Sequence, residues 1–295
     1  MSPFRLDLLA GKRILVTGGG TGLGKEISRG FAAHGAHVFI CGRREQILKN
    51  TCDEIRNQNR GLADYRVVNV RDAENVESMI ESVWSSGPLT GLVNNAAANF
   101  IARTESLSPR AYEAVRSTVM DGSFFATLAC GKRWIAGGLP GVVLSNLVTW
   151  VWTGSAYVVP SAMAKTAVQA MTMSLAVEWG PKNIRLNAIA PGPFPTPNAW
   201  EKLNPIPGTS VGATQPDQVP LRRYGEMDEV RNLAIFLMSD ACSYINGATI
   251  AIDGGQHLAA PSTFAELSKL SDEDWRDARD ALRASAEKER RGRGV

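Results

Sequence analysis

The stretch Thr17-Gly18-Gly19-Gly20-Thr21-Gly22-Leu23-Gly24 follows the apolar run Ile14-Leu15-Val16. An apolar run that breaks into glycines and resumes at helical spacing predicts a strand, a tight turn and a helix N-terminus. The first N–H groups of a helix have no internal partner, and the helix dipole favours negative charge beside them. Glycines let the backbone come close enough to a pyrophosphate for those donors to reach it. The spacing is Gly18-x-x-x-Gly22-x-Gly24, and its place after the first strand points to a dinucleotide site rather than a bare turn.

Two further places carry charge where it has work to do. After the strand His37-Val38-Phe39-Ile40 comes Cys41-Gly42-Arg43-Arg44, with no carboxylate until Glu45. An acid there would bind the 2′-hydroxyl of NAD and repel the 2′-phosphate of NADP. Arginine forks a phosphate well, and a basic pair is unfavourable at a helix N-terminus without an anion, so NADPH is expected. Lys165 sits among Ala162, Ala164, Ala167 and Val168, with Met163, Met171 and Met173 close in sequence. Burying an unpaired ammonium is costly. Cofactor ribose hydroxyls would supply a partner, and the charge would lower the pKa of a neighbouring donor.

The elements that must hold these residues alternate. Strands are predicted at Tyr65–Val70, Gly91–Asn94, Val142–Ser145, Ile184–Ile189 and Thr249–Asp253. Helices are predicted from the glycine turn to His34-Gly35 and over Ala73–Val83, Pro109–Ala136, Ala156–Trp179 and Met227–Met238. Repeated β-α units with buried strands predict an α/β fold: one Rossmann-type doubly wound parallel sheet with helices on both faces. The expected domain runs over 1–258 and includes a substrate loop at 191–220, rich in Pro, Gly and Thr with Trp200, Leu203 and Ile206. A helical tail is expected over 259–295. Capping boxes Thr263-x-x-Glu266 and Ser271-x-x-Asp274 precede Trp275, Ala278 and Leu282 at helical spacing, so the tail is read as docking on a neighbouring subunit.

Composition narrows the function classes. The 295 residues are 44% hydrophobic and 21% charged with net charge +3, and no basic stripe with interleaved aromatics points to nucleic acid. Cys41, Cys52, Cys130 and Cys242 are too widely spaced for a metal site or disulfide framework and read as reduced thiols. Arg5 and Asp7 before the first strand argue against a signal or transit peptide, and no run is long enough to span a bilayer. A cytoplasmic protein without metal is expected.

Taken together, the motifs resemble the short-chain dehydrogenase/reductase family. Thr17–Gly24 is similar to its TGxxxGxG turn and Asn94-Asn95-Ala96-Ala97 to its NNAG. Pro191-Gly192-x-x-x-Thr196 resembles its PGxxxT, and Ile252-Asp253-Gly254-Gly255 its closing VDGG. Within the family, Asn94-Asn95-Ala96-Ala97-Ala98-Asn99-Phe100 is most similar to the NNAAGNF of 2,4-dienoyl-CoA reductases. Val158-Val159-Pro160-Ser161-Ala162-x-Ala164-Lys165 and Glu178-Trp179-Gly180 strengthen that narrower likeness. The resemblance implies a nicotinamide cofactor and a homotetramer. It implies Gly18, Gly19, Gly20, Thr21, Gly22 and Leu23 at the pyrophosphate and Asn69 and Val70 at the adenine, although the family usually has Asp where Asn69 stands. Asn95, Ala96 and Ala97 would line the ribose. Pro191, Gly192, Pro193, Phe194 and Thr196 would hold the nicotinamide amide.

The same resemblance exposes departures. The family's tyrosine, four residues before the lysine, is here Ser161, and its serine thirteen residues earlier is Val148. Dienoyl-CoA reductases also carry serine at the first place; their tyrosine stands fifteen residues before the lysine and acts with an Asn on the thioester carbonyl. Those two places hold Trp150 and Asp121. Hydride addition to a conjugated thioester builds charge on the carbonyl oxygen, which needs donors aimed at it. The Trp150 indole donates a hydrogen bond but no proton. Ionised Asp121 only accepts; it would help if kept protonated in a desolvated pocket, or it could pair with Lys165. Tyr157, on roughly the helix face of Ser161, is the nearest other phenol and reads as a packing tyrosine. The resemblance places Arg71 and Lys202 near the acyl-CoA, and Phe100, Trp200 and Trp152 are candidates for an apolar wall. Three functions follow: an NADPH-dependent reductase of an unsaturated acyl-CoA thioester, an oxidoreductase of another carbonyl or alcohol, or a catalytically weakened NADP-binding protein with an assembly or sensing role.

Overall fold

The computed structural model describes residues 3–59, 61–99, 101–196, 214–259, 271–274 and 276. The chain divides into two compact units, Met1–His257 and Leu258–Val295. In the first unit, β1 (Arg13–Thr17), β2 (His37–Gly42), β3 (Leu62–Val67), β4 (Gly91–Asn94), β5 (Gly141–Asn146), β6 (Ile184–Pro191) and β7 (Thr249–Ile252) form one sheet. Their order is β3-β2-β1-β4-β5-β6-β7, and every neighbouring pair is parallel. The winding reverses between β1 and β4. In such sheets that reversal opens a crevice at the strands' carboxyl ends, where ligands bind.

Parallel strands covered on both faces send alternate side chains into two cores. Ile14 and Val16 of β1, Val38 and Ile40 of β2, and Val142 and Leu144 of β5 enter one. That core is closed by α1 (Gly22–Ala33), α2 (Glu45–Asn59) and α8 (Met227–Met238), through Ile27, Phe31, Leu48, Ile55, Val230 and Ile235. Leu15, Phe39 and Val143 enter the other, against α3 (Ala73–Trp84), α5 (Gly122–Gly137) and α7 (Val159–Trp179). The doubly wound architecture expected from the β-α alternation is the one observed.

Three elements differ from the sequence reading by more than two residues at a boundary. The third strand covers Leu62–Val67 rather than 65–70, because β3 is an edge strand whose ladder ends at Gly42↔Val67, the last residue of β2. Beyond it the Val68 N–H still donates to the Gly42 carbonyl at 2.8 Å, and Val68 and Val70 are buried outside the ladder, which gave them a strand-like pattern. The helix expected over 109–136 is α4 (Pro109–Arg116), a π-helical turn (Ser117–Asp121) and α5. Through that turn the hydroxyls of Ser117, Thr118 and Ser123 donate to the carbonyls of Glu113, Ala114 and Val119, loosening the regular ladder. The helix expected from Ala156 begins at Val159. A separate turn, α6 (Trp150–Thr153), precedes it, and Gly154 and Tyr157 take φ of 65° and 63° between the two. Tyr157 therefore lies outside the helix and is 60% exposed, so it is neither on the Ser161 face nor a packing residue.

In the second unit, Ser271 and Asp274 form a reciprocal cap: the Ser271 N–H donates to Asp274 Oδ2 at 2.7 Å and the Asp274 N–H to Ser271 Oγ at 3.1 Å. Thr263, Glu266, Trp275, Ala278 and Leu282 lie outside the described residues, and so do Trp200, Leu203 and Ile206 of the substrate loop.

Gly131 of α5 lies under the Trp179 ring, and a Cβ there would sit 2.3 Å from its Cη2. Trp179 is buried and has nowhere to retreat. Gly131→Ala should lower the unfolding free energy by about 1–3 kcal/mol in urea titration; an unchanged midpoint would contradict this packing.

Candidate active site

The carboxyl ends of β1, β4, β5 and β6 and the loops that leave them form one crevice. Gly18 and Gly22 take φ of 65° and 56°, which L side chains rarely adopt. A Cβ at Gly24 would lie 2.3 Å from Asn95 Nδ2 and 2.5 Å from the Gly18 carbonyl, so the turn and α1 are packed with no room for a side chain. Gly20 is pinned by Thr51 of α2, whose hydroxyl donates to its carbonyl at 3.0 Å. Thr21 is the α1 N-cap and makes no side-chain cap hydrogen bond, and no acid lies in the first turn. The leading N–H groups of α1 thus remain free to meet an anion. The only atoms near the Cβ direction of Gly22 among the described residues belong to Thr196, at 3.9 Å.

A chain of hydrogen bonds runs from this turn to the lysine. The N–H groups of Asn95 and Ala96 both donate to Thr17 Oγ1 at 3.0 Å. Asn95 Nδ2 donates back to the carbonyls of Thr17 (3.0 Å) and Gly18 (3.2 Å). Asn95 Oδ1 accepts from Asn146 Nδ2 at 2.9 Å, and the Asn146 carbonyl accepts from Lys165 Nζ. Lys165 is buried, one helical turn beyond the buried Ser161. Burial lowers its pKa from 10.5 to about 8. An ammonium has three donors, so the Asn146 carbonyl leaves capacity for ligand hydroxyls. Ala97, next in line, is exposed at the crevice.

The opposite end of the crevice is cationic. Arg43 and Arg44 are exposed and make no ion pair among the described residues. A cavity of about 480 Å3 is lined by Arg43, Arg66, Val67, Val68, Asn69, Asn75, Ser78 and Met79, with no carboxylate among them. Arg44 does not line it. Asn69 opens to this cavity while Val70 turns into the core, where its Cγ2 would lie 2.9 Å from a Cβ on Gly122. At the end of β6, the Gly192 N–H donates to the Ile252 carbonyl at 3.0 Å, and a Cβ on Gly192 would collide with that of Asp253 at 2.5 Å. Pro193 accepts from the Gly225 N–H at 3.0 Å, and Phe194 is buried against that glycine.

The departing positions are settled locally. Asp121 Oδ2 lies 2.8 Å from Arg116 Nη1. It is therefore neither paired with Lys165 nor placed as a lone desolvated acid; its partner is five residues back, at the end of α4. Trp150 opens α6 and is half-buried. Arg71 spends Nε on Thr118 Oγ1 (2.7 Å) and Nη2 on the Ala114 carbonyl (3.0 Å), so it braces the π-helical turn rather than standing free toward substrate. Phe100 and Lys202 lie outside the described residues. Among the described residues no group of three His, Cys, Asp or Glu side chains could hold a metal ion.

A family model described as enoyl-(acyl carrier protein) reductase matches residues 18–257, spanning the glycine turn, the lysine helix and β7. The chain belongs to the short-chain dehydrogenase/reductase family. A Bacillus subtilis member named Probable 2,4-dienoyl-CoA reductase is 41% identical over 84% of this chain and 97% of its own. The crystal structure of a Bacillus anthracis short chain dehydrogenase is 39% identical with a TM-score of 0.75, over 83% of this chain and 96% of that one. A gluconate 5-dehydrogenase from Burkholderia cenocepacia, solved with NADP and tartrate, is 30% identical with a TM-score of 0.78, over 85% and 98%.

Against this reductase family the residue that sequence reasoning missed is Asn146. The strand was expected to end at Ser145, yet two polar residues closing an apolar strand at a sheet's carboxyl edge are a signal that this edge faces a ligand. The pKa of Lys165 also has a measurable consequence. The unfolded chain keeps its lysine proton to near 10.5 and the folded one to about 8, so stability rises with pH across that window and the full cost is present below it. Urea unfolding at pH 7 and pH 9.5 should show wild type gaining about 1–3 kcal/mol more than Lys165→Met; equal changes would contradict a buried, depressed lysine.

Proposed function

We propose that this protein is an NADPH-dependent reductase of an unsaturated acyl-CoA thioester. The observation that carries the cofactor choice is the acid-free cavity bounded by Arg43 and Arg66 beside the exposed Arg44. Guanidinium groups without a competing carboxylate favour a 2′-phosphate over a 2′-hydroxyl. The uncapped α1 N-terminus suits the pyrophosphate, Lys165 with Asn95 the ribose, and Gly192 to Thr196 the carboxamide. NADPH supplies the hydride when bound. The substrate class rests on the names of relatives such as the 41% identical B. subtilis protein.

The chain's own groups then divide the remaining work. The Lys165 ammonium, held by Asn146, fixes ribose hydroxyls and lends positive charge to the centre. The Trp150 indole N–H and the Ser161 hydroxyl are the donors for the carbonyl oxygen as charge develops on it. Asp121, bound to Arg116, is kept as one half of an ion pair and does not present a bare carboxylate to the enolate. Met163, Thr166, Ala170, Met173 and Val177 make an uncharged exposed stripe on α7, and Phe124 is exposed on α5, which supports a homotetramer. Cytoplasmic residence fits four free, buried cysteines, and no helix among the described residues is long and apolar enough to cross a membrane.

A second reading follows from the Asp121–Arg116 pair: with an acceptor where a thioester-polarising amide is expected, the site would serve another carbonyl or alcohol, or bind NADP without turnover. Titration with both cofactors and turnover on a 2,4-dienoyl-CoA, an enoyl-CoA and simple ketones separate these readings. Wild type should prefer NADPH, and Arg43→Ala with Arg44→Ala should weaken NADPH binding about 10–100-fold while leaving NADH within about threefold. Tighter NADH binding by wild type would overturn the cofactor assignment, and NADPH binding with turnover of ketones alone would overturn the thioester.

A further inference from the structure

Asp253 and His257 form a cluster at the carboxyl end of β7 to which the reading above gives no role. Asp253 is buried; its Oδ1 accepts the Gly255 N–H at 2.9 Å, and its Oδ2 accepts the His257 backbone N–H at 2.8 Å and faces His257 Nδ1 at 2.7 Å. One carboxylate thus fixes both the backbone and the ring of His257. Two hydrogen bonds to the same oxygen leave the imidazole little freedom about χ1 and χ2. The ring lies against Trp152, with centroids 4.8 Å apart and planes inclined by 30°.

Trp152 belongs to α6, a single turn that also carries Trp150. Isolated turns of this length have no stability of their own. Around it the backbone donates from Val151 to the Val148 carbonyl at 3.2 Å, from Trp152 to that of Thr149 at 3.1 Å and from Gly154 to that of Trp150 at 2.9 Å. On one side Val151 packs on Leu147, Val168 and Ala188. On another, Trp152 is 43% exposed, and the His257 ring is its aromatic support. Behind the cluster, the Cα and Cβ of Asp253 pack close against Gly192 of the Pro191–Thr196 segment, leaving no room there for a side chain.

We propose that the Asp253–His257 pair positions α6 through Trp152 and thereby sets the placement of Trp150 in the substrate pocket. Asp253 and His257 are positioning residues; neither exchanges a proton or a bond with substrate. The placement of α6 stands on geometry alone, and its catalytic consequence rests on the proposed thioester chemistry.

The test uses the full chain and three variants, His257→Ala, His257→Phe and Trp152→Ala, with two readouts. Amide hydrogen exchange of the 149–156 peptide needs no substrate. It should quicken about fivefold or more in His257→Ala and Trp152→Ala, with the rest of the fold unchanged, and return to wild type in His257→Phe, whose flat ring restores the stack. Turnover of a 2,4-dienoyl-CoA should show kcat lowered about tenfold in the two alanine variants with KM nearly constant, and rescue by His257→Phe, since Trp150 acts where charge develops. NADPH affinity should not move. Unchanged exchange in His257→Ala would overturn the proposal. So would His257→Phe with wild-type exchange and lost turnover, which would make the imidazole nitrogen itself the acting group. Quickened exchange in a wild-type background that turns over no thioester would uphold the positioning and overturn the substrate class.

Discussion

The ammonium of Lys165 is the constraint on which the site depends. A charge this deeply buried must be held, and what holds it is the last carbonyl of β5, that of Asn146. The Asn146 side chain in turn grips Asn95, and Asn95 grips the backbone of the glycine turn. Four elements that are far apart in sequence are tied at one edge of the sheet by this chain of hydrogen bonds, which leaves Asn146 Oδ1 without a partner and the ammonium with donors to spare. The topological switch between β1 and β4 makes this possible, because only there do the ends of β1, β4 and β5 lie side by side.

The two ends of the crevice differ in how firmly they are specified. At the cationic end, Arg43 remains exposed beside a cavity without a carboxylate, so its charge awaits an anion. At the lysine end, the groups that depart from the family pattern have been taken up by neighbours. Asp121 pairs with Arg116 across the π-helical turn, and Arg71 braces that turn from β3's side. A π-helical insertion shifts the residues after it around the helix axis, and here it is what brings Asp121 within reach of Arg116. The cofactor end thus reads like its family, and the substrate end has its own arrangement.

What could be read in the sequence follows from what is local. The glycine turn, the buried strands and the lone lysine declare themselves by spacing and by charge in an apolar setting. The end of β3 could not be read, because it is set by where β2 stops, and Val70 carries the same apolar signal whether in a ladder or against Gly122. The one-turn helix at Trp150 and the late start at Val159 depend on positive φ at Gly154 and Tyr157; tyrosine gives no local sign of that backbone. The resemblance places Arg71 near the acyl-CoA, whereas the partners that hold it lie more than forty residues away. Asn146 is half visible: the polar end of an apolar strand marks the edge, but its partners, Asn95 just after β4 and Lys165 of α7, are distant in sequence.

The glycine turn and Lys165 act as one unit through Asn95 and Asn146. A double-mutant cycle of Asn95→Ala and Lys165→Met, read as NADPH affinity by calorimetry, tests it most directly. The two side chains share no direct hydrogen bond, so independent sites would give additive losses within about 0.3–0.5 kcal/mol. The relay predicts a coupling of about 1 kcal/mol or more, with the second substitution costing much less than the first. Additive losses would contradict it.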